Sequence, residues 1–109
     1  MADQGKTLIT MTVPDTAVRG TIVSGAGAFS ASALPAGVVY DDADGETSGA
    51  VQIAGTALVK LGGTVSAGDA IVSDASGLGV SGTLGTDFNI LGVALEGGDA
   101  NELRRVAVK

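Results

Sequence analysis

Asp41, Asp42, Asp44 and Glu46 lie within one stretch, DDADGE, and are the first residues along the chain whose types and spacing could do chemistry. Carboxylates close together suit calcium, which takes six to eight oxygens from loops of this kind. The familiar helical calcium loop wants donors at positions one, three and five, glycine at six and glutamate at twelve. Counted back from Gly45, position one falls on Tyr40 and position twelve on Val51, so the pattern is not met. The stretch reads instead as a solvated acidic turn, made of residues that turns ordinarily use. There is no histidine to act as a base near neutral pH, and no cysteine to supply a thiolate nucleophile, a disulfide or a soft metal ligand. No serine stands in a nucleophile-elbow motif. The expectation is a chain that is not an enzyme and has no catalytic residue, metal ligand or cofactor.

Three other features carry a chemical reading beside a plainer one. Gly25-Ala26-Gly27 could begin a dinucleotide fingerprint, but the third glycine would fall at Ser30 and no long helix follows, so a glycine-rich turn is expected. Lys60 lies between Val59 and Leu61, and the segment VSAGDAIV follows at Val65. It is similar to the carrier lysine of biotinyl and lipoyl domains, where the modified residue sits at the tip of a hairpin. Here the apparent tip, Gly62-Gly63, comes two residues later. An exposed strand lysine is the expectation, with a carrier domain modified on Lys60 as the alternative function. Arg104-Arg105 reads as surface and edge protection.

What must hold these residues in place is a set of strands. From Val51 to Leu61 the odd positions are Val51, Ile53, Gly55, Ala57, Val59 and Leu61, and the even ones Gln52, Ala54, Thr56, Leu58 and Lys60. That period of two puts one row on each face of a pleated strand and makes the odd row the expected core. A helix would have to absorb Gly55, Gly62 and Gly63 at roughly 1 kcal/mol for each interior glycine. Glycine makes up 18 of 109 residues with no triplet period, so it marks turns and close backbone approach and excludes collagen.

Along the chain, Thr7 to Val13 puts Thr7, Ile9, Met11 and Val13 on one face and Leu8, Thr10 and Thr12 on the other, as an edge strand or arm. Such a strand can pair at home or add to the edge of a partner's sheet; home pairing is the plainer expectation, because a free edge is a solubility hazard. Further strands are expected at Val18 to Val23, Val38 to Tyr40, Ala70 to Ser73, Leu78 to Val80, Ile90 to Leu95 and Leu103 to Val108. The segment from Ala28 to Gly37 reads as a loop with one helical turn, and Asp74 to Gly77 as a type I turn. A hairpin turn is expected at Gly62-Gly63. The fold class is all-β: a small, compact β-barrel or sandwich of short antiparallel strands with little helix. An N-terminal arm or edge strand covers residues 1–17 and a single β domain residues 18–109.

Composition limits the partners. A net charge of -6 gives no electrostatic footprint for nucleic acid or an anionic membrane. No run approaches the roughly 18 apolar residues of a membrane span, and MADQGK lacks the apolar run of a secretory signal, so the chain is expected to remain in the cytoplasm where it is made. Aromatic residues are only 3% of the chain. With so few large rings, the packed layers must lie close together, and some apolar surface is expected to meet other subunits.

The order GTALVKLGGTVSAGDAIVSDASGLGV, a polar loop, ILGVALEGGDANE and a closing RVAV resembles the small capsid decoration, or cement, proteins of tailed bacteriophages. The parts that carry the likeness are Val65-Ser66-Ala67-Gly68-Asp69, Ile90-Leu91-Gly92-Val93-Ala94 and Arg105-Val106-Ala107-Val108, within residues 38 to 109. The segment VRGTIVSGAGAFSASALPAG departs from that pattern. The resemblance implies a β domain, commonly a homotrimer, made in the host bacterial cytoplasm. It would sit on the outer surface of an icosahedral head and clamp the major capsid protein lattice; the alternatives are the carrier domain modified on Lys60 and a structural module of another particle, such as a phage tail. The residues expected to contact the capsid are those of the arm: Lys6, Thr7, Leu8, Ile9, Thr10 and Met11.

Overall fold

Alternating β-branched runs punctuated by glycine do fold as strands here. The computed structural model describes residues 7–31, 35–82 and 90–108. Within them are eight strands and no helix: β1 (Thr7–Thr12), β2 (Ile22–Ser24), β3 (Pro35–Val39), β4 (Ser48–Lys60), β5 (Ala70–Ser73), β6 (Gly79–Ser81), β7 (Gly92–Ala94) and β8 (Leu103–Val108). All strand pairs are antiparallel, in the order β2-β3-β4-β8-β7-β5-β6, with β1 as a further partner of β4. The two ends of this sheet meet. Ile22 N–H donates to the Gly77 carbonyl (2.7 Å), and Gly62 N–H to the Gly79 carbonyl (2.8 Å) beside a parallel bridge between Leu61 and Gly79. The sheet is thereby nearly closed into a barrel, which removes most of its open edge.

β4 organises the rest because it is long enough to serve two neighbourhoods. Its first half pairs with β1 and β3, and its second half with β8. The side chains fill two clusters: a larger one around Ile22, Val38, Val59, Leu61, Ile71 and Val106, and a smaller one around Val13, Ala17, Val23, Val39 and Val51. Val51 pairs with Val39 in the smaller cluster, whereas Gln52 pairs with Val38, which belongs to the larger one. Beyond Gly55 it is the odd residues Ala57, Val59 and Leu61 that enter the larger cluster. The odd row is thus the buried one on both sides of Gly55, as expected, with Gln52 the exception, but it passes from the smaller cluster to the larger one between Ile53 and Ala57. Gly55, at φ 89°, is the residue that allows it, in the manner of a β-bulge.

The bulge overturns one expectation. Gln52 belongs to the row assigned to solvent, yet only 3% of it is exposed. Its side-chain amide donates to the carbonyls of Ala54 (3.0 Å) and Thr56 (2.9 Å), two groups on either side of the kink. A buried polar side chain is tolerated because both hydrogens of the amide are used.

Other boundaries move for local reasons. β2 starts at Ile22 and not at Val18, because Thr21 N–H turns back to the Val18 carbonyl (3.1 Å) and Gly20 takes φ 92°. β3 begins at Pro35, paired with Ser24. No hairpin forms at Gly62-Gly63: Leu61 bridges Gly79 and β4 takes β8 as its neighbour. The buried strand after Ile90 shrinks to β7, where the expected close approach is real. A Cβ on Gly92 would fall on the Ala107 carbonyl. A turn forms at Asp74 to Gly77: Gly77 N–H donates to the Asp74 carbonyl (3.1 Å), and Asp74 Oδ1 accepts from Ser76 and Leu78 N–H (both 2.9 Å). The part of the Ala28 to Gly37 expectation that falls on residues 32–34 lies outside the described residues, as does Phe88.

Candidate interaction surface

β1 pairs at home, with Ile9 opposite Val51 and Thr10 opposite Ala50 on β4, and among the described residues it has no other strand partner. Leu8 faces the side of Gln52 and Ile9 the side of Val51, so the two branched residues lie on opposite faces. Both are open, at 44% and 41% exposure. Thr7, Thr10 and Thr12 are exposed as well, and Met11 alone is half-buried, packed on the smaller cluster. Lys6 lies outside the described residues. The structure thus brings Thr7 to Met11 together as one exposed strand. It is fixed at its far end by Val13, which is buried and donates its N–H to the Thr47 carbonyl (3.0 Å).

The acidic stretch is a turn. Ala43 is buried and donates to the Ala17 carbonyl (2.8 Å), Gly45 donates to Asp15 (3.0 Å), and Asp44 and Gly45 both take positive φ. Among the described residues no three acidic side chains gather as a metal-binding group. Lys60 sits in β4 opposite Leu103 and donates its backbone N–H to the Gly20 carbonyl (2.8 Å). That is a position within the sheet, not the tip of a turn. Gly25-Ala26-Gly27 is a turn too, closed by Gly27 N–H on the Ser24 carbonyl (2.9 Å).

The arginine pair does not protect an edge, because β8 lies between β4 and β7. Arg104 pairs with Glu102 (3.0 Å), and Arg105 Nε with Glu96 (3.3 Å). Glu96 also accepts the Arg105 backbone N–H (3.0 Å), and that bond, with the guanidinium charge, holds its carboxyl below the ordinary range. Asp69 is held low in the same sense by the Ser81 hydroxyl (2.7 Å) and the Ser66 N–H (2.9 Å).

Sequence reading missed a groove of about 410 Å³ where β3 and β4 separate. These strands pair only at Val38/Gln52 and Val39/Val51 before β4 bends at Gly55. Gly20 spans the gap, donating to Val39 (2.9 Å) and accepting from Lys60 (2.8 Å). Arg19, Tyr40, Gln52, Thr56, Leu58 and Arg105 are among the residues that line it. The only signal in the sequence was Gly55 interrupting an alternating run. No protein-family model matches this chain, and no curated protein matches it. Among the described residues no helix is long and apolar enough to cross a membrane.

Proposed function

We propose that this chain is a structural protein of a phage virion that binds the outer surface of an icosahedral head and stabilises the lattice of the major capsid protein. The observation that carries the reading is β1: six residues, TLITMT, with no charge, with Leu8 and Ile9 exposed on opposite faces, and with no described strand partner beyond β4. An edge strand of that length ordinarily carries a lysine, a proline or a bulge to prevent pairing with strangers. Within Thr7–Thr12 there is no such blocker after the register shift at Thr7/Leu8. An edge left open in this way fits strand addition, in which main-chain hydrogen bonds supply affinity and the flanking side chains supply selectivity. The resemblance of the C-terminal two-thirds to decoration proteins gives the partner, and the all-β barrel gives a rigid support for the strand. Assembly as a homotrimer would multiply three modest contacts into a firm clamp, provided that all three engage together.

The test is co-sedimentation with expanded heads that lack decoration. Deletion of residues 1–13 would also remove Val13 from the smaller cluster, so the better truncation stops at Thr12. The full chain should saturate the heads. The truncation, and a Leu8→Lys/Ile9→Lys double variant that keeps the fold, should not. Normal binding by a folded double variant would exclude the arm as the contact, and failure of the full chain to bind would exclude the decoration role.

A further inference from the structure

The groove at the β4 bulge has a chemistry of its own, independent of the role of β1. Two arginines are among its lining residues, Arg19 from the segment before β2 and Arg105 from β8, in a chain with six cations and a net charge of -6. Of its apolar lining residues Val38, Val39, Ala57 and Leu58, the first three are buried in the core and Leu58 is half-buried. Arg19 meets Asp42 through its backbone N–H (2.7 Å), which leaves the guanidinium outside that contact. Arg105 meets Glu96 through Nε (3.3 Å), with 60% of its side chain exposed, so the terminal nitrogens of the fork lie outside that pair. A concave site with an apolar floor and a few convergent polar groups is the general form of a ligand site, and arginine forks match carboxylates in geometry as well as charge.

We propose that this groove receives an acidic side chain from a partner protein, with the carboxylate between Arg19 and Arg105 and the methylenes against Leu58. Charge complementarity selects a carboxylate in preference to an amine or a neutral amide. Exposed guanidinium groups are screened by water, so a small anion is held only weakly, whereas a side chain held by a larger contact is delivered at high effective concentration.

The test uses the full-length chain, backbone-amide NMR shifts and two capped amino acids, N-acetyl-glutamic acid amide and its neutral isostere N-acetyl-glutamine amide, at constant ionic strength. The glutamate probe should saturate weakly, with a dissociation constant on the order of 10 mM. It should shift Arg19, Tyr40, Thr56 and Arg105, and the glutamine probe should bind on the order of tenfold more weakly. Arg19→Gln/Arg105→Gln should remove the difference between the probes while the rest of the spectrum is kept. Equal binding of the two probes by the wild-type chain, or shifts that map elsewhere, would overturn the proposal without reference to the arginine variants. Equally strong saturation by free acetate would replace the side-chain occupant with a small anion.

Discussion

Replacing Gln52 by methionine is the most direct probe of how β4 is built. The side chain keeps its length and loses only the amide, whose two hydrogens serve the Ala54 and Thr56 carbonyls across the bend at Gly55. Each hydrogen bond is worth about 1 kcal/mol net, and a carbonyl left dry and unpaired costs a further 1 to 3 kcal/mol or so. With both bonds lost, and with Thr56 lining the groove so that one carbonyl is counted as left dry, the expected loss is about 3 to 5 kcal/mol. For a chain of this size that corresponds to a fall in melting temperature of roughly 10 °C or more. Urea unfolding followed by circular dichroism would measure it. Gln52→Glu separates hydrogen bonding from shape. An ionised carboxylate there would face two carbonyls and have nothing to donate, so its folded pKa is raised above the unfolded one. The variant should therefore be weakest relative to wild type above that raised pKa and recover part of the difference as the pH falls through it. If Gln52→Met unfolds at the same urea concentration as wild type, the amide does not sustain the bulge.

The same structure makes four other outcomes testable. Gly92→Ala would drive a methyl group into the Ala107 carbonyl at the β7–β8 pairing, and a loss of about 3 kcal/mol or more is expected, seen as little or no folded protein on expression. Gly77→Ala combines φ 81° with a Cβ 2.5 Å from the Phe29 ring, so it should destabilise by about 1 to 3 kcal/mol in thermal melts and loosen the seam where the sheet closes. Leu8→Ser and Ile9→Ser, at exposed positions, should change stability by no more than about 0.5 kcal/mol, while head binding by co-sedimentation falls on the order of tenfold for each. Asp69 and Glu96 both have lowered pKa values. Their contribution to stability is thus complete above the ordinary carboxylate range, near about pH 4, and is lost as the pH falls through the lower folded values. Asp69→Asn should flatten the acid limb of a stability–pH profile, and an unchanged limb would show that this carboxylate is not coupled to folding.

The strands were legible because each is a local statement. The β-branched runs of β1 and β8, the turn at Asp74 to Gly77 and the close approach at Gly92 follow from side-chain type, alternation and the geometry that glycine permits. What escaped is non-local. Nothing within VQIAGTALVK states that its two halves will pair with different strands, so the change of cluster at Gly55 and the burial of Gln52 were hidden behind an unbroken alternation. The hairpin expected at Gly62-Gly63 fails for a related reason. Two glycines permit a reversal, but β8, arriving from the far end of the chain, takes the position that a hairpin strand would have occupied. The groove inherits both surprises, since it exists only where β3 and β8 take opposite halves of one strand. Of the residues expected to contact a partner, Thr7 to Met11 were legible as an edge strand from their β-branched content, but the exposure of Leu8 and Ile9 was not, because apolar side chains of that size ordinarily signal a core.

Home pairing of β1 also constrains how a partner could use it. One edge of the strand is spent on β4 in a register that runs from Leu8/Gln52 to Thr12/Ser48, so an incoming strand must add at the outer edge and extend the sheet. It would then bury Leu8 on one side of the layer and Ile9 on the other at once. A partner that merely lay flat on the barrel could cover only one of them. Single substitutions consequently discriminate the two geometries. Strand addition predicts that Leu8→Ser and Ile9→Ser weaken head binding to a similar degree and that Thr10→Pro, which removes a main-chain N–H in the middle of the strand, weakens it as well. Docking on one face predicts that only one of the two serine variants matters. Should Leu8→Ser bind normally while Ile9→Ser fails, the outer edge is not the contact, and the face shared with Met11 takes its place.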